Sequence, residues 1–173
     1  MRTPFAATAL LAIGLGAALA AVAPAETSRL ADQKITASGV GKVPLGRTFR
    51  SLRASGLLGR MRPGCPLGGT DTRSARLRAP LKGSVDLTRS RPRKVRAVTV
   101  TGGASARGVG IGDRLADIRA AFPKARVDRD TEETFGITLV RVPKNGGGPI
   151  QFAIDVDSRK ITRIAVPAIQ FCE

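Results

Sequence analysis

One order of structural signals occurs twice in this chain, about 66 residues apart, and a chain that repeats itself at such a period must pack two similar units against each other. Leu45-Gly46-Arg47-Thr48-Phe49-Arg50-Ser51-Leu52-Arg53-Ala54 opens one helix, and Ile111-Gly112-Asp113-Arg114-Leu115-Ala116-Asp117-Ile118-Arg119-Ala120 opens another. With the glycines aligned, Leu45 matches Ile111, Phe49 matches Leu115, Leu52 matches Ile118, Arg53 matches Arg119 and Ala54 matches Ala120. Thr48 and Asp113 are placed to cap the helix starts. Phe49 and Leu52, then Leu115, Ile118 and Phe122, recur at helical spacing and give each helix a narrow apolar face, ended by Gly56 and Pro123.

Period-two segments follow each helix. Ile150, Phe152 and Ile154 alternate with Gln151, Ala153 and Asp155, the pattern of a half-buried strand, and a turn through Asp157-Ser158 leads to a second strand over Ile161 to Val166. The earlier copy has Val85 and Leu87, then Lys94-Val95 and Val98 to Val100, with Lys94 matching Lys160 and Val98 matching Ile164. Further strands are expected at Arg76 to Ala79 and Ile137 to Val142, each followed by proline. The expected fold class is α+β: two tandem repeats of about 66 residues, each a short helix followed by about three antiparallel strands. Their bounds are 26–100 and 101–173.

The Gly-x-Thr helix opening in Gly46-Arg47-Thr48-Phe49-Arg50-Ser51-Leu52, followed by a small antiparallel sheet, resembles the BamE/SmpA outer-membrane assembly lipoproteins and, as a tandem pair, the secreted β-lactamase inhibitor proteins. Gly112-Asp113-Arg114 departs from that opening. The resemblance implies an exported binding module and transfers no functional residue.

Export is expected on independent grounds. Arg2 precedes an uncharged run from Ala6 to Val22, and Ala23-Pro24-Ala25 supplies the small residues a signal peptidase needs, so residues 1–25 read as a signal peptide and the mature chain starts at Glu26. The run is too short to anchor, which leaves no transmembrane segment in the mature chain. Export makes Cys65 and Cys172, the two cysteines of the chain, a candidate disulfide closing a long loop.

Composition restricts the chemistry. There is no His, which removes Ser-His-Asp and Cys-His nucleophilic systems and the commonest zinc ligand. Gly39-Val40-Gly41 and Gly108-Val109-Gly110 complete neither a dinucleotide fingerprint nor a phosphate loop and read as strand ends and turns. Asp128, Asp130, Glu132 and Glu133 form the one acidic cluster, flanked by Arg126 and Arg129, and read as a solvated loop; a calcium site there lacks the known spacing. The reading is therefore of a protein without catalytic residues, metal or cofactor, and a metal-dependent enzyme is the weakest alternative.

Charge is distributed unevenly. Residues 26–100 carry 17 basic and 4 acidic side chains, against 11 and 9 in residues 101–173, so one repeat is at +13 and the other at +2. An excess of Arg over Lys follows from a GC-rich bacterial genome, but that bias does not place +13 beside +2. The densest run is Arg89, Arg91, Arg93, Lys94 and Arg96, with Arg47, Arg50 and Arg53 on the first helix, and these eight are the candidate binding residues. The expected partners are anionic polymers or lipid head groups of the cell envelope, or an exported protein. Export and the absence of Trp and Tyr argue against nucleic acid. A secreted or envelope-associated location follows, with an inhibitor-like module that grips one protein through its sheet as the alternative.

Overall fold

The structure, a computed structural model, describes residues 33–143 and 149–171; the expected signal peptide and Cys172 lie outside them. The chain runs β1 (Gln33–Thr36), β2 (Gly39–Val40), β3 (Val43–Pro44), α1 (Phe49–Ala54), β4 (Leu58–Pro63), β5 (Arg73–Leu77), β6 (Lys82–Leu87) and β7 (Val95–Gly102). It continues through β8 (Ala104–Ser105), α2 (Leu115–Ala121), β9 (Arg126–Asp128), α3 (Glu132–Phe135), β10 (Ile137–Val142), β11 (Ile150–Asp155) and β12 (Ile161–Val166). Helices and strands are mixed in the manner of an α+β protein. Eight strands form one sheet in the order β4-β5-β6-β7-β12-β11-β10-β9, antiparallel throughout, and β3-β2-β1-β8 form a smaller one. Four strands follow each of α1 and α2, where the sequence pattern showed about three. The strands it passed over are β4 and β9, the two edges of the large sheet.

Local chemistry sets the helix ends. Thr48 Oγ1 accepts a hydrogen bond from the Ser51 amide at 3.4 Å, and Gly56 follows α1 at φ +73°, a conformation that favours glycine. Asp113 does not cap α2 as its position suggested. Its Oδ2 accepts from the Gly110 amide at 2.8 Å, closing the preceding turn, while Asp117 reaches back to accept from the Arg114 amide at 2.8 Å. The local reason is reach: Asp113 lies one residue before the N-cap, Arg114, and a turn amide is nearer to it than the helix amides.

Equivalent bonds recur 66 residues apart. The Gly46 amide donates to the Val95 carbonyl at 2.8 Å, as the Gly112 amide does to that of Ile161, also at 2.8 Å. Val95 donates to Arg47 and Ile161 to Asp113, both at 2.8 Å. Arg73 pairs with Leu87, and Leu139 with Ala153; Val40 pairs with Val43, and Ala106 with Val109. Where the halves meet, Val98 pairs with Val166, Thr99 with Ala165 and Val100 with Ile164. A shift of 66 exchanges the first and last of these pairs and leaves the middle one in place, so the seam reads the same from either side.

One core runs across that seam. Leu52 from α1 and Ile118 from α2 are buried in the same cluster as Val85, Val98, Phe152 and Ile164. The other face of the second half is covered too: Ile137, Leu139, Ala153 and Ala165 pack with Ile169, and Phe171 stacks on Phe135 with ring centroids 4.6 Å apart. For this reason β11 is not half-buried as its alternation implied. Ile150 through Ile154 are all buried, and Gln151 on the second face accepts a hydrogen bond from the Ile169 amide at 2.9 Å.

A shared core predicts one cooperative transition in chemical denaturation, monitored by both far-UV circular dichroism and a probe of tertiary structure. Leu52→Ala and Ile118→Ala should each lower the stability read from that same transition by about 2–5 kcal/mol. Two separable transitions, each sensitive to one substitution, would contradict a common core.

Candidate functional site

Two of the basic stretches singled out in the sequence are brought together by main-chain bonds. The Phe49 amide donates to the Arg93 carbonyl at 2.9 Å, and Thr48 bridges Lys94, so the start of α1 is docked against the turn and start of β7. Arg47, just before α1, and Arg50 and Arg53 within it follow at a spacing of three and are exposed, as is Lys94.

The run from Arg89 to Arg96 is not one uniform patch. Arg89 Nη2 donates to the Gly68 carbonyl, and Arg93 Nη1 donates to the carbonyls of Thr88 at 2.8 Å and Asp71 at 3.2 Å. Arg96 Nη2 donates to Gln170 Oε1 at 3.2 Å. These three guanidiniums tie the loop around Cys65 and the C-terminal segment to the sheet, leaving Arg91 and Lys94 as the exposed cations of the run whose side chains make no such tie among the described residues. Cys65 is disulfide-bonded, and its Sγ lies 3.7 Å from the Phe171 carbonyl oxygen, which places the loop beside the residue that precedes Cys172.

A cavity of about 360 Å³ lies in this region, lined by Cys65, Thr72, Asp86, Arg89, Arg96 and Gln170. Burial pushes the Asp86 carboxyl above its usual range, and the positive charge of Arg96 offsets this in part. The acidic cluster of the second half has structural tasks. Asp128 pairs with Arg141 at 2.5 Å, Glu132 lies 3.7 Å from Arg129, and Thr138 Oγ1 donates to Glu132 at 2.5 Å. Glu132 and Glu133 occupy the first turn of α3, where acidic side chains are favoured, so this segment is a short helix where a loop was expected. At the end of β11, the Ser158 hydroxyl, and next the Ser158 amide that donates to Asp155 at 2.8 Å, hold the Asp155 carboxyl below the usual range.

A second concave region was not legible in the sequence. It is an open cleft of about 1290 Å³ between β1 and the segment that enters β9, lined by Lys34, Arg107, Lys124 and Arg126 above Phe122 and Ile150. These residues are spread over more than a hundred positions and no local pattern joins them; only the packing of the small sheet against the second half brings them together.

The raised Asp86 value has a consequence for stability. Folding makes this carboxyl harder to ionise, so its contribution is most favourable below the unfolded pKa of about 3.9 and is lost as pH rises towards the raised folded value. Asp86→Asn removes that loss. The difference in Tm, variant minus native protein, should increase from about pH 4 upward and then level off; a difference independent of pH would contradict the burial argument.

No helix among the described residues is long and apolar enough to cross a membrane. No protein-family model, no curated protein and no solved structure matches this chain.

Proposed function

We propose that this chain is an exported, non-enzymatic binding protein built from two tandem copies of one unit, and that its basic first copy contacts anionic polymers or lipid head groups of the bacterial envelope. The reading of two copies is supported by the hydrogen bonds that recur at a spacing of 66 and by the helix followed by four strands in each half. A helix opening followed by a small antiparallel sheet is what the resemblance to the BamE/SmpA and β-lactamase inhibitor families implies.

The observation that carries the binding reading is the distribution of ion pairs. Both salt bridges among the described residues, Arg129–Glu132 and Arg141–Asp128, lie in the near-neutral half. The cations of residues 33–100 form none among the described residues; apart from the attraction of Arg96 to Asp86, their field is not cancelled locally and attracts anions in solution. Arg47, Arg50, Arg53, Arg91 and Lys94 are exposed parts of that field, as are Lys42, Arg60, Arg62, Arg76, Arg78 and Lys82. An inhibitor-like grip through the sheet is less well supported, because Ile169, Phe171 and Phe135 of α3 already cover the second half of the sheet face that lies away from α1 and α2.

Binding to vesicles of anionic phospholipid and to a soluble acidic polysaccharide tests the proposal. Each cation near such a surface contributes about 1 kcal/mol, so reversing three of them, in Arg50→Glu, Arg91→Glu and Lys94→Glu combined, should weaken binding about 100-fold or more. Binding of the native protein should also fall steeply with salt as the screening length shortens to about 3 Å at 1 M. Unchanged binding by the triple variant, or affinity indifferent to salt, would overturn the reading. Arg93 is left alone in this test because its guanidinium holds the turn.

A further inference from the structure

The cleft beside β9 is distinct from the basic face of the first half, and its charges are sorted. Lys34 comes from β1, Arg107 from the turn after β8, Lys124 from the segment after α2 and Arg126 from β9 itself; among the described residues no Asp or Glu lines the cleft. None of the four cations is in a salt bridge among the described residues. The second half as a whole is nearly neutral, so a compositional excess of Arg does not account for this. Its described acids lie outside the lining: Asp113 and Asp117 in the turn before α2 and its first turn, Asp128 at the other end of β9 from Arg126 and paired with Arg141, Asp130, Glu132 and Glu133 before and in α3, and Asp155 and Asp157 at the turn between β11 and β12. Arg107 is held in place: its guanidinium lies 5.2 Å from the centroid of the Phe122 ring, and Nη1 donates to the Ala121 carbonyl at 3.2 Å.

The shape of the lining indicates how a ligand would lie. Phe122 to Ala125 form the turn that leads from α2 into β9, closed by the Ala125 amide donating to the Phe122 carbonyl at 2.9 Å, and the cleft is lined by this turn and by the first residue of the strand, Arg126. β9 is the last strand of the large sheet and β8 the last of the small one; Arg126 and Ser105 from these strands both line the cleft, and no further strand among the described residues pairs with either. An open sheet edge is a template for an added strand, and cations beside it repel another copy of this basic chain while admitting an acidic one. The volume, about 1290 Å³, exceeds the roughly 300–1,000 Å³ of small-molecule sites.

We propose that this cleft takes an extended acidic peptide segment of another protein, added as a strand along β9, with its carboxylates towards the four cations and its apolar side chains on Ile35, Phe122 and Ile150. A lipid-like anion would use the cations and the apolar floor but would make no use of the open edge.

The test is fluorescence anisotropy of the full chain with a labelled peptide that alternates acidic and apolar residues. The same peptide N-methylated at alternate residues, and dodecyl phosphate as competitor, serve as controls. The native protein should bind the unmodified peptide and lose about tenfold or more in affinity for the methylated one, which keeps its charge but not its backbone donors. Lys124→Glu with Arg126→Glu should lose about as much. Ala37→Trp, which narrows the cleft without changing charge, should also weaken binding, and unchanged Tm values would show that both proteins are folded. Arg91→Glu with Lys94→Glu should have no effect, which separates this site from the basic face of the first half. Equal affinity for the methylated peptide would overturn strand addition. Loss that followed Arg91 and Lys94, or binding of dodecyl phosphate in preference to the peptide, would overturn the site or its occupant.

Discussion

The pairing of β7 with β12 is the contact on which the rest of the structure depends. Each half has fewer than eighty residues, a size at which a single core buries too little apolar surface to be more than marginally stable. Joined at the seam, the two four-stranded units become one sheet of eight strands, and α1 and α2 pack into one cluster on its face. Val98, Val100, Ile164 and Val166 are each fully buried there. Without the seam, β7 and β12 would be apolar edge strands with unpaired amides, a hazard for aggregation. With it, the edges fall to β4 and β9, which are rich in charge.

The same contrast explains what the sequence disclosed. Interior strands such as Ile137–Val142 and Ile161–Val166 are written in β-branched and apolar residues, and their bounds agree with the expectation from pattern alone. β4, with Gly59, Arg60 and Arg62, and β9, with Arg126 and Asp128, carry no such alternation, because an edge strand is protected by charge and is paired on one side only. Burial of both faces of β11 was hidden for a different reason. It depends on Ile169 and Phe171, which reach it only after the chain has turned back over the sheet. A local period cannot record a covering made by distant residues.

The candidate site was legible as charge and not as geometry. That the first half is strongly basic can be counted, and the docking of Arg47 and Arg50 beside Lys94 follows from the bonds that fix α1 to the start of β7. That Arg89, Arg93 and Arg96 spend their donors on carbonyl and amide oxygens could not be counted. Guanidiniums suit this use because a planar fork of donors can satisfy several oxygens at a loop while its charge stays near solvent. A basic run can thus be part scaffold and part surface.

Native-state hydrogen exchange at single-residue resolution tests the central claim most directly, since it reads the stability of each strand pair within the intact protein. If the seam joins two units into one cooperative sheet, the protected amides of β7 and β12 around Thr99 and Ala165 will exchange as slowly as the interior of β6 and β11, through global unfolding, while β4 and β9 exchange faster by local opening. Seam amides that exchange as fast as those edge strands, with the interiors of both halves still protected, would mean that the halves fold separately and would contradict the account.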